Sequence, residues 1–482
     1  MLTTEQDVII LGAGLSGIAM GIALRRVNRH NFLILEEAQG VGGTWWHNRY
    51  PGAQCDVPSH LYSFSFAPNP NWSHRYTRGD EIQRYAESCV DQFGLRPHLR
   101  LGTRIDSAHF DEQTQRWTIT TDSGQQLVAR HFIVSMGPLH RPRLPAGIET
   151  FAGPILHTAR WDATIDYAGH TVAVIGTAAS AVQLVPAIVA SCGQVEVFQR
   201  TPSWIVPRGD RPYSAREQRW LRIPWVARLY RSALYVGAEA IFPAFRRLGW
   251  MHKLMQWVAR HHLHQSVPAS ALRDRLTPNY PMGCKRILLS DTFYPALQQP
   301  HVTLHGAASA FAADAIIDED GQRIPIDLIV CATGFDTLAP LGSLQIHGLE
   351  GLSLTQRWSA VPEAYRGTVV DGFPNLWLLL GPNTGTGHTS VLIPIEAQVR
   401  YIVDCLDELD RRGAQAMAIQ PAVLRQHNEA LQRRLARTVW ASPGCNSWYK
   451  TADGRVLGTY PGFITQFSLS MRKPKFADYH YS

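Results

Sequence analysis

Short apolar runs, each followed at once by a glycine-rich turn, set the pattern of this chain. Val8 to Leu11 is such a run, and Gly12 opens the turn before an apolar stretch from Ile18 to Arg26. Phe32 to Leu35 is a second apolar run that ends at Glu36. Because buried parallel strands are continuously apolar and the stretch between them is long enough for a helix, we predict a βαβ unit here.

The same order returns in the middle of the chain. Thr171 to Ile175 reads as a strand, Gly176 opens a turn, and Ser180 to Ala190 is helical in pattern. Val195 to Phe198 is the following strand. Two βαβ units indicate an α/β protein with two Rossmann-like dinucleotide-binding domains.

A helical insertion is predicted between residues 209 and 278. Strand patterns vanish there, and arginine alternates with Trp, Leu and Tyr at helical spacing. Further strands are expected at 327–331 and 376–380, and a helix at about 395–410. The predicted domains are 1–150 with 341–482 for the first nucleotide, 151–208 with 279–340 for the second, and 209–278 as an insertion in the second.

Composition narrows the class of protein. The 482 residues are 45% hydrophobic and 18% charged, which is typical of a globular chain of two or three domains. The net charge of +7 comes without a dense Lys/Arg block or a nucleic-acid motif, so we expect anionic cofactors and a solvated basic surface, with no nucleic acid. The apolar run from Val8 to Leu24 contains glycines that fit a strand–turn–helix better than a signal or membrane segment.

The seven cysteines are scattered and contain no C-x-x-C pair. We therefore expect neither a metal site nor a disulfide framework, and a reducing, cytoplasmic location.

The first glycine loop has the spacing G-x-G-x-x-G. Gly12 permits the tight turn, Gly14 lets a pyrophosphate approach the backbone, and Gly17 lets helix and strand pack closely. The helix N-terminus then directs free N–H groups toward the phosphates. Glu36 stands where an acid binds the ribose hydroxyls, so the loop predicts a dinucleotide site.

The second loop, which begins at Gly176 and reaches Ser180, is a degraded version with alanine at the second and third glycine positions. Its second strand ends at Arg200 and Thr201 instead of an acid. A cation and a hydroxyl suit a 2′-phosphate, which predicts NADPH, with Lys285 as a third ligand. The alternative is that Arg200 is an ordinary surface arginine.

Two further segments resemble a known family. Phe151 to Asp162 matches F-x-G-x-x-x-H-x-x-x-W-[P/D], the fingerprint of type I Baeyer–Villiger monooxygenases. Gly42 to Trp45, followed by Tyr50 to Gly52 and Asp56, resembles a stretch of the ketone-oxidising members. The resemblance extends over nearly the whole chain, from Val8 to the C-terminal stretch rich in Trp and Tyr.

The resemblance implies an enzyme that uses FAD in the first domain, NADPH in the second and O₂, and converts a hydrophobic ketone to an ester or lactone through a C4a-peroxyflavin. It identifies Arg286, in the element Gly283 to Arg286, as the cation beside the reacting oxygen, and Asp56 as its carboxylate partner. Arginine suits this role because it stays charged and presents a planar fork of donors. The alternatives are a turn role for Asp56 and a purely phosphate-binding role for Arg286.

The resemblance also assigns secondary roles. The residues concerned are Gly43, Thr44, Trp45 and Asn383 at the cofactors, His157 and Trp161 in coupling the domains, and Trp448 in a mobile lid. For the tryptophans, plain packing is the alternative.

Three other functions are considered. An N- or S-oxidising flavin-containing monooxygenase shares both nucleotide sites but needs no Arg–Asp pair. A flavin disulfide reductase needs a redox dithiol, and the sequence contains no C-x-x-C or C-x₄-C. The Arg/Trp helices at 209–278 could lie on a membrane surface, but a cap that shapes the substrate entrance is the preferred interpretation. We expect a monomer or homodimer.

Overall fold

The computed structural model describes residues 5–246, 249–336, 341–445, 447–451 and 453–482. The strands, in chain order, are Glu5–Leu11 (β1), Phe32–Leu35 (β2), Leu99–Arg100 (β3), Ile105–Asp111 (β4), Arg116–Thr121 (β5), Gln126–Val134 (β6), Ile155–His157 (β7), Thr171–Ile175 (β8), Gln194–Phe198 (β9), Ile205–Val206 (β10), Leu288–Leu289 (β11), Val302–His305 (β12), Ala308–Ala312 (β13), Ala315–Asp318 (β14), Arg323–Pro325 (β15), Leu328–Cys331 (β16), Gln345–His347 (β17), Leu376–Leu378 (β18), Met417–Ile419 (β19) and Tyr479–Tyr481 (β20).

The α-helices are Leu15–Arg26 (α1), Thr44–His47 (α2), Gly79–Gln92 (α3), Ala179–Ile188 (α4), Ala215–Leu221 (α5), Pro224–Glu239 (α6), Trp250–Ser266 (α7), Ala271–Arg275 (α8), Phe293–Ala296 (α9), Leu354–Arg357 (α10), Leu392–Arg412 (α11), Pro421–Leu435 (α12) and Ile464–Met471 (α13). Short 3₁₀ turns occur at Arg96–His98, Ile148–Thr150, Phe242–Phe245, Leu349–Gly351, Val439–Ala441 and Phe476–Asp478.

The first sheet contains the N-terminal βαβ unit. Its strand order is β17-β4-β5-β6-β1-β2-β3, and β18 also pairs with β6. β1 lies parallel to both β2 and β6, with Val8 opposite Phe32 and His131. Its apolar residues are fully buried, as a parallel strand covered on both faces requires. β17 and β18 return to this sheet from the C-terminal part of the chain.

The second sheet contains the mid-chain βαβ unit. Its order is β12-β9-β8-β16-β7, and all of its pairings are parallel. β7, which ends at His157, pairs with β16, which ends at Cys331. The α/β architecture with two parallel-stranded units is the one that the sequence predicts.

Helices α5 to α8 occupy the stretch predicted to be a helical insertion. Helix α5 begins at a capping box in which Ser214 and Glu217 exchange hydrogen bonds. Pro224 stands at the first turn of α6, where its missing N–H costs nothing. Among the described residues, no helix combines the length and the apolarity needed to cross a bilayer.

The expectation that the chain forms no disulfide is wrong. Cys284 and Cys445 form one, with their Cα atoms 5.6 Å apart. The two residues lie 161 positions apart in sequence, so only the fold brings them within bonding distance. The predicted reducing compartment rested partly on the absence of a disulfide and loses that support. The other five cysteines are free and buried.

Candidate active site

The first glycine loop joins β1 to α1 in a tight cradle. Gly12 has φ of +99°, a conformation that glycine adopts without strain, and its N–H donates to the carbonyl of Leu35. A Cβ atom at Gly17 would collide with the carbonyl oxygen of Gly12. This close approach of backbone to backbone leaves the N-terminus of α1 open to a phosphate, so the loop fits a dinucleotide.

Glu36 lies beside this loop at the end of β2. Its buried carboxylate accepts hydrogen bonds from the N–H groups of Ala13 (2.7 Å) and Ala38 (2.9 Å). Burial raises the pKa of Glu36, and the two backbone donors oppose that effect. The acid is therefore held next to the loop where the sequence predicts a ribose ligand.

The segment from Gly43 to Trp45 packs directly on the first loop. A Cβ atom at Gly43 would lie 2.9 Å from the Cα of Gly14. Thr44 begins α2, and the buried Trp45 donates from its indole nitrogen to the hydroxyl of Tyr62 at 3.1 Å. These residues, predicted from the family resemblance, thus form one wall of the first nucleotide cradle.

The second glycine loop follows β8. Gly176 has φ of +111°, and a Cβ atom there would lie 2.7 Å from the carbonyl oxygen of Ala332. Ser180, in the first turn of α4, lies near the hydroxyl of Tyr50. The hydroxyl of Thr177 donates to the carbonyl of Thr201 at 3.3 Å, which ties the loop to the end of the next strand.

Two cations lie close together at the end of β9. Arg200 is exposed, and Lys285 is half-buried with its ammonium 4.8 Å from the ring centre of Tyr280. Burial and the charge of Arg200 lower the pKa of Lys285. Two neighbouring cations repel each other unless an anion lies between them, so this arrangement fits a phosphate.

The structure brings Arg286 and Asp56 together. Nε of the guanidinium donates to one carboxylate oxygen at 2.8 Å, and Nη2 donates to the other at 2.6 Å. This is the two-pronged geometry that arginine and a carboxylate form best. The Asp56 carboxylate raises the pKa of Arg286, against the opposing effect of burial. The Arg286 side chain remains 41% accessible, so a bound group can reach its free edge.

Gln183, which the sequence analysis missed, fixes the loop that carries Asp56 on the second nucleotide unit. Its side-chain oxygen accepts from the hydroxyl of Tyr50 at 2.8 Å and from the N–H of Gln54 at 3.3 Å. Its amide nitrogen donates to the carbonyl of Gln54 at 3.0 Å. A side chain at Gly52 would collide with the backbone of Gln183. Nothing in the local sequence of α4 indicates this contact.

Arg208 is a second residue that the sequence analysis missed. Its buried guanidinium donates from Nη2 to the carbonyl of Cys55 at 2.7 Å, next to Asp56. Its backbone N–H donates to Asp291 at 2.9 Å. Arg208 therefore braces the backbone on the other side of the Asp56 loop.

The C-terminal segment reaches the Arg286 side chain. Burial raises the pKa of Tyr449, and the nearby positive charge of Arg286 opposes the rise. Trp448, the predicted lid residue, is 40% exposed, with its ring centre 4.3 Å from that of Tyr449. The disulfide between Cys284 and Cys445 ties this segment to the loop of Arg286. Asn446, two residues before Trp448, lies outside the described residues.

Asn383 is buried at the edge of the C-terminal segment. Its amide nitrogen donates to the carbonyls of Val456 (2.8 Å) and Thr459 (3.1 Å). Both amide hydrogens are thus donated to backbone carbonyls. The predicted cofactor contact of Asn383 stays a prediction.

His157 and Trp161 lie where the two units meet. Burial lowers the pKa of His157 to about 4, and its Nδ1 accepts from the N–H of Ala159 at 3.0 Å, so the ring is a neutral packing element at pH 7. Trp161 lines a surface cleft together with Arg49 and Pro51 of the first unit. The positions suit a coupling role, which stays a prediction.

Comparison with known proteins agrees with this geometry. A family model described as pyridine nucleotide-disulphide oxidoreductase matches residues 9–223. The chain is 40% identical to a Baeyer-Villiger monooxygenase of Pseudomonas aeruginosa, over 98% of this chain and 91% of that protein. It is 34% identical to an FAD-binding monooxygenase of Aspergillus niger, over 99% and 82%. A solved oxidized steroid monooxygenase bound to NADP superposes with a TM-score of 0.89, at 30% identity over 99% of both chains. The chain therefore belongs to the Baeyer–Villiger monooxygenase family.

Proposed function

We propose that this enzyme uses FAD, NADPH and O₂ to insert one oxygen atom beside the carbonyl of a hydrophobic ketone, giving an ester or lactone. The observation that carries the proposal is the two-pronged ion pair between Arg286 and Asp56. It joins a loop of the first nucleotide unit to a loop of the second, which is where the two cofactors must meet.

FAD belongs in the first unit. The loop from Gly12 to Gly17 would hold its pyrophosphate, Glu36 its ribose, and the segment from Gly43 to Trp45 would lie against it. The fit rests on the close packing of Gly43 against Gly14, which leaves backbone N–H groups instead of side chains at the phosphates.

NADPH belongs in the second unit. Gly176 and Ser180 would line its pyrophosphate, and Arg200, Thr201 and Lys285 would bind the 2′-phosphate. The mutual repulsion of Arg200 and Lys285 in the structure supports an anion at this position.

When bound, NADPH would supply the reducing electrons and FAD the chemistry that transfers one atom of O₂ to the substrate. The protein's part is to fix charge and exclude water. Arg286 presents a permanent positive charge where negative charge develops on oxygen during the transfer, and Asp56 keeps the fork in one orientation. The buried Tyr449 of the C-terminal segment lies near the pair.

A ketone carbon must be attacked by an anionic oxygen, whereas an amine or thioether attacks oxygen itself. A fixed cation stabilises the anion and therefore favours the first reaction. This is why the pair favours ketone oxidation over N- or S-oxidation, the second candidate function.

The domain division follows the same assignment. We place the FAD domain at 1–150 and 341–482, the NADPH domain at 151–208 and 279–340, and the helical insertion at 209–278. The return of β17 and β18 to the first sheet supports this division.

The experiment is turnover of a panel of linear, cyclic and aryl ketones with NADPH under ¹⁸O₂, with thioethers as controls, read by mass spectrometry. We expect an ester or lactone that carries a single ¹⁸O atom. Sulfoxide as the sole labelled product, with every ketone intact, would overturn the proposal in favour of heteroatom oxidation.

A further inference from the structure

A row of large apolar side chains stands in solvent on helices α5, α6 and α7. A single exposed hydrophobic residue is ordinary, but a set of them concentrated on one segment of the chain points to an interaction surface. We call this set the Trp/Arg surface. Its apolar members, with their exposed fractions, are Trp220 (52%), Trp225 (65%), Leu229 (64%), Val236 (65%), Trp250 (73%), Leu254 (45%) and Trp257 (60%).

Helix α6 has its apolar side turned outward. Trp225, Leu229 and Val236 recur at helical spacing on the exposed side. Two of its charged residues, Arg231 and Glu239, point inward instead. Arg231 donates to the carbonyl of His60 at 2.7 Å, and the buried Glu239 accepts from the N–H groups at the start of α13. The helix is therefore anchored through Arg231 and Glu239 and presents Trp225, Leu229 and Val236 to solvent.

The charge of the molecule is concentrated on the same segment. Residues 215–266 contain nine of the 46 Lys and Arg residues and two of the 39 Asp and Glu residues, so they carry the whole net charge of +7 and the rest of the chain is neutral. Arg216, Arg228 and Lys253 are exposed and have no carboxylate partner among the described residues. Some surface arginines elsewhere, such as Arg84 and Arg96, are paired with acids.

The exposed apolar side chains and the excess of positive charge together indicate the kind of partner. A second copy of the chain docking face to face would bring +7 against +7, which opposes self-association through this surface. A bilayer rich in anionic phospholipid offers negative charge for the unpaired cations and an interface in which indole rings settle. We propose that the Trp/Arg surface docks the enzyme on an anionic phospholipid surface.

This proposal differs from the preferred interpretation of the sequence, a cap over the substrate entrance, because Trp225, Leu229 and Val236 of α6 are at least 64% exposed. The inner side of the segment is connected to the active site. Met282, four residues before Arg286, packs in one cluster with Ala259 of α7, and Gly283 lies against Phe245. Docking would bring the ketone-oxidising site near a phase in which hydrophobic ketones concentrate.

The test is co-sedimentation of the purified holoenzyme with vesicles of phosphatidylcholine alone and of phosphatidylcholine mixed with phosphatidylglycerol, at about 0.15 M salt. We expect binding to the mixed vesicles only. The double variant Arg228→Glu/Lys253→Glu should lower the bound fraction at least about tenfold, because each Lys or Arg near an anionic membrane surface adds to the free energy of binding. The double variant Trp225→Ser/Leu229→Ser should lower it as well.

Two matched variants serve as controls. Arg425→Glu/Arg433→Glu reverses two exposed, unpaired arginines on α12, and Leu144→Ser/Leu469→Ser removes two apolar side chains that are 52% and 53% exposed elsewhere. Both should bind like the wild type. The proposal is overturned if the wild type stays in the supernatant with mixed vesicles, or if the control pairs lose as much binding as the surface pairs. A wild-type dimer that Trp225→Ser/Leu229→Ser converts to monomer would assign the surface to a second copy instead.

Discussion

Replacing Asp56 by Asn tests how much of the reaction depends on the orientation of Arg286. In the structure each carboxylate oxygen accepts one guanidinium hydrogen bond, at 2.8 and 2.6 Å. Asparagine keeps one acceptor and puts an NH₂ group, itself a donor, in place of the other. The substitution therefore removes one charge-assisted hydrogen bond without changing the size of the side chain.

A hydrogen bond to a charged group contributes about 1.5–3 kcal/mol. The Arg286 side chain is 41% accessible, so water replaces part of the lost interaction. The loss should therefore lie at the lower end of this energy range. A loss of about 1.4 kcal/mol at the transition state corresponds to about tenfold in rate. We expect ester formation to fall about tenfold while NADPH oxidation continues and releases hydrogen peroxide.

The assay measures ester by gas chromatography and mass spectrometry, NADPH by absorbance, and peroxide by a peroxidase-coupled dye. Asp80→Asn, which breaks the exposed pair with Arg84, is the matched control and should behave like the wild type. If Asp56→Asn forms as much ester for each NADPH as the wild type does, orientation by the carboxylate has no part in the reaction.

Three further predictions concern other parts of the structure. Arg200→Ala should raise the KM for NADPH at least about tenfold and leave the KM for NADH unchanged, because only NADPH carries the phosphate that the cation binds; equal effects on both would contradict the assignment. Glu239 has a pKa of about 2, because burial, which would raise it, is outweighed by hydrogen bonds from His388 and the start of α13. Glu239→Gln should lower the unfolding free energy by about 2 kcal/mol at pH 7. A carboxyl whose pKa is lowered on folding stabilises the protein at pH values above its ordinary pKa of 4.5. In thermal melts, the difference in stability between the wild type and Glu239→Gln should therefore shrink as pH falls from about 4.5 toward 2. A difference that stays constant over this range would refute the role of the Glu239 charge. Cys445→Ser should raise the share of NADPH that is lost as peroxide, because it frees the segment that is tied to Cys284. A thiol reductant should have the same effect on the wild type and no effect on the variant. A wild-type enzyme whose peroxide release does not change when the reductant opens the disulfide would argue against this role.

The strands and nucleotide loops were predictable because they rest on local chemistry. Val8 to Leu11 lies within β1 and Phe32 to Leu35 is β2, since an uninterrupted apolar run flanked by turn residues has few alternatives to a buried parallel strand. The glycines at 12 and 176 follow their strands with positive φ, as a sharp turn into a helix demands. Helix bounds were less accurate, and α11 extends beyond the predicted 395–410 at both ends.

The rest of the site depends on contacts between distant parts of the chain. The pairing of Asp56 with Arg286 came from a family resemblance, since residues 230 positions apart show no relation in sequence. Gln183 and the disulfide had no signal of any kind for the same reason. Helical periodicity showed that α6 has an apolar side but not which side faces solvent, so the exposure of Trp225, Leu229 and Val236 could not be predicted.

The central claim is that the positive charge of Arg286 directs oxygen to a ketone carbon. The most direct measurement is the amount of ester formed for each NADPH consumed by Arg286→Ala, with Arg286→Lys beside it. The account predicts that Arg286→Ala consumes NADPH and releases peroxide without ester, and that Arg286→Lys recovers only a small part of ester formation, because an ammonium lacks the fork that Asp56 holds. Ester formation by Arg286→Ala at the wild-type ratio would contradict it.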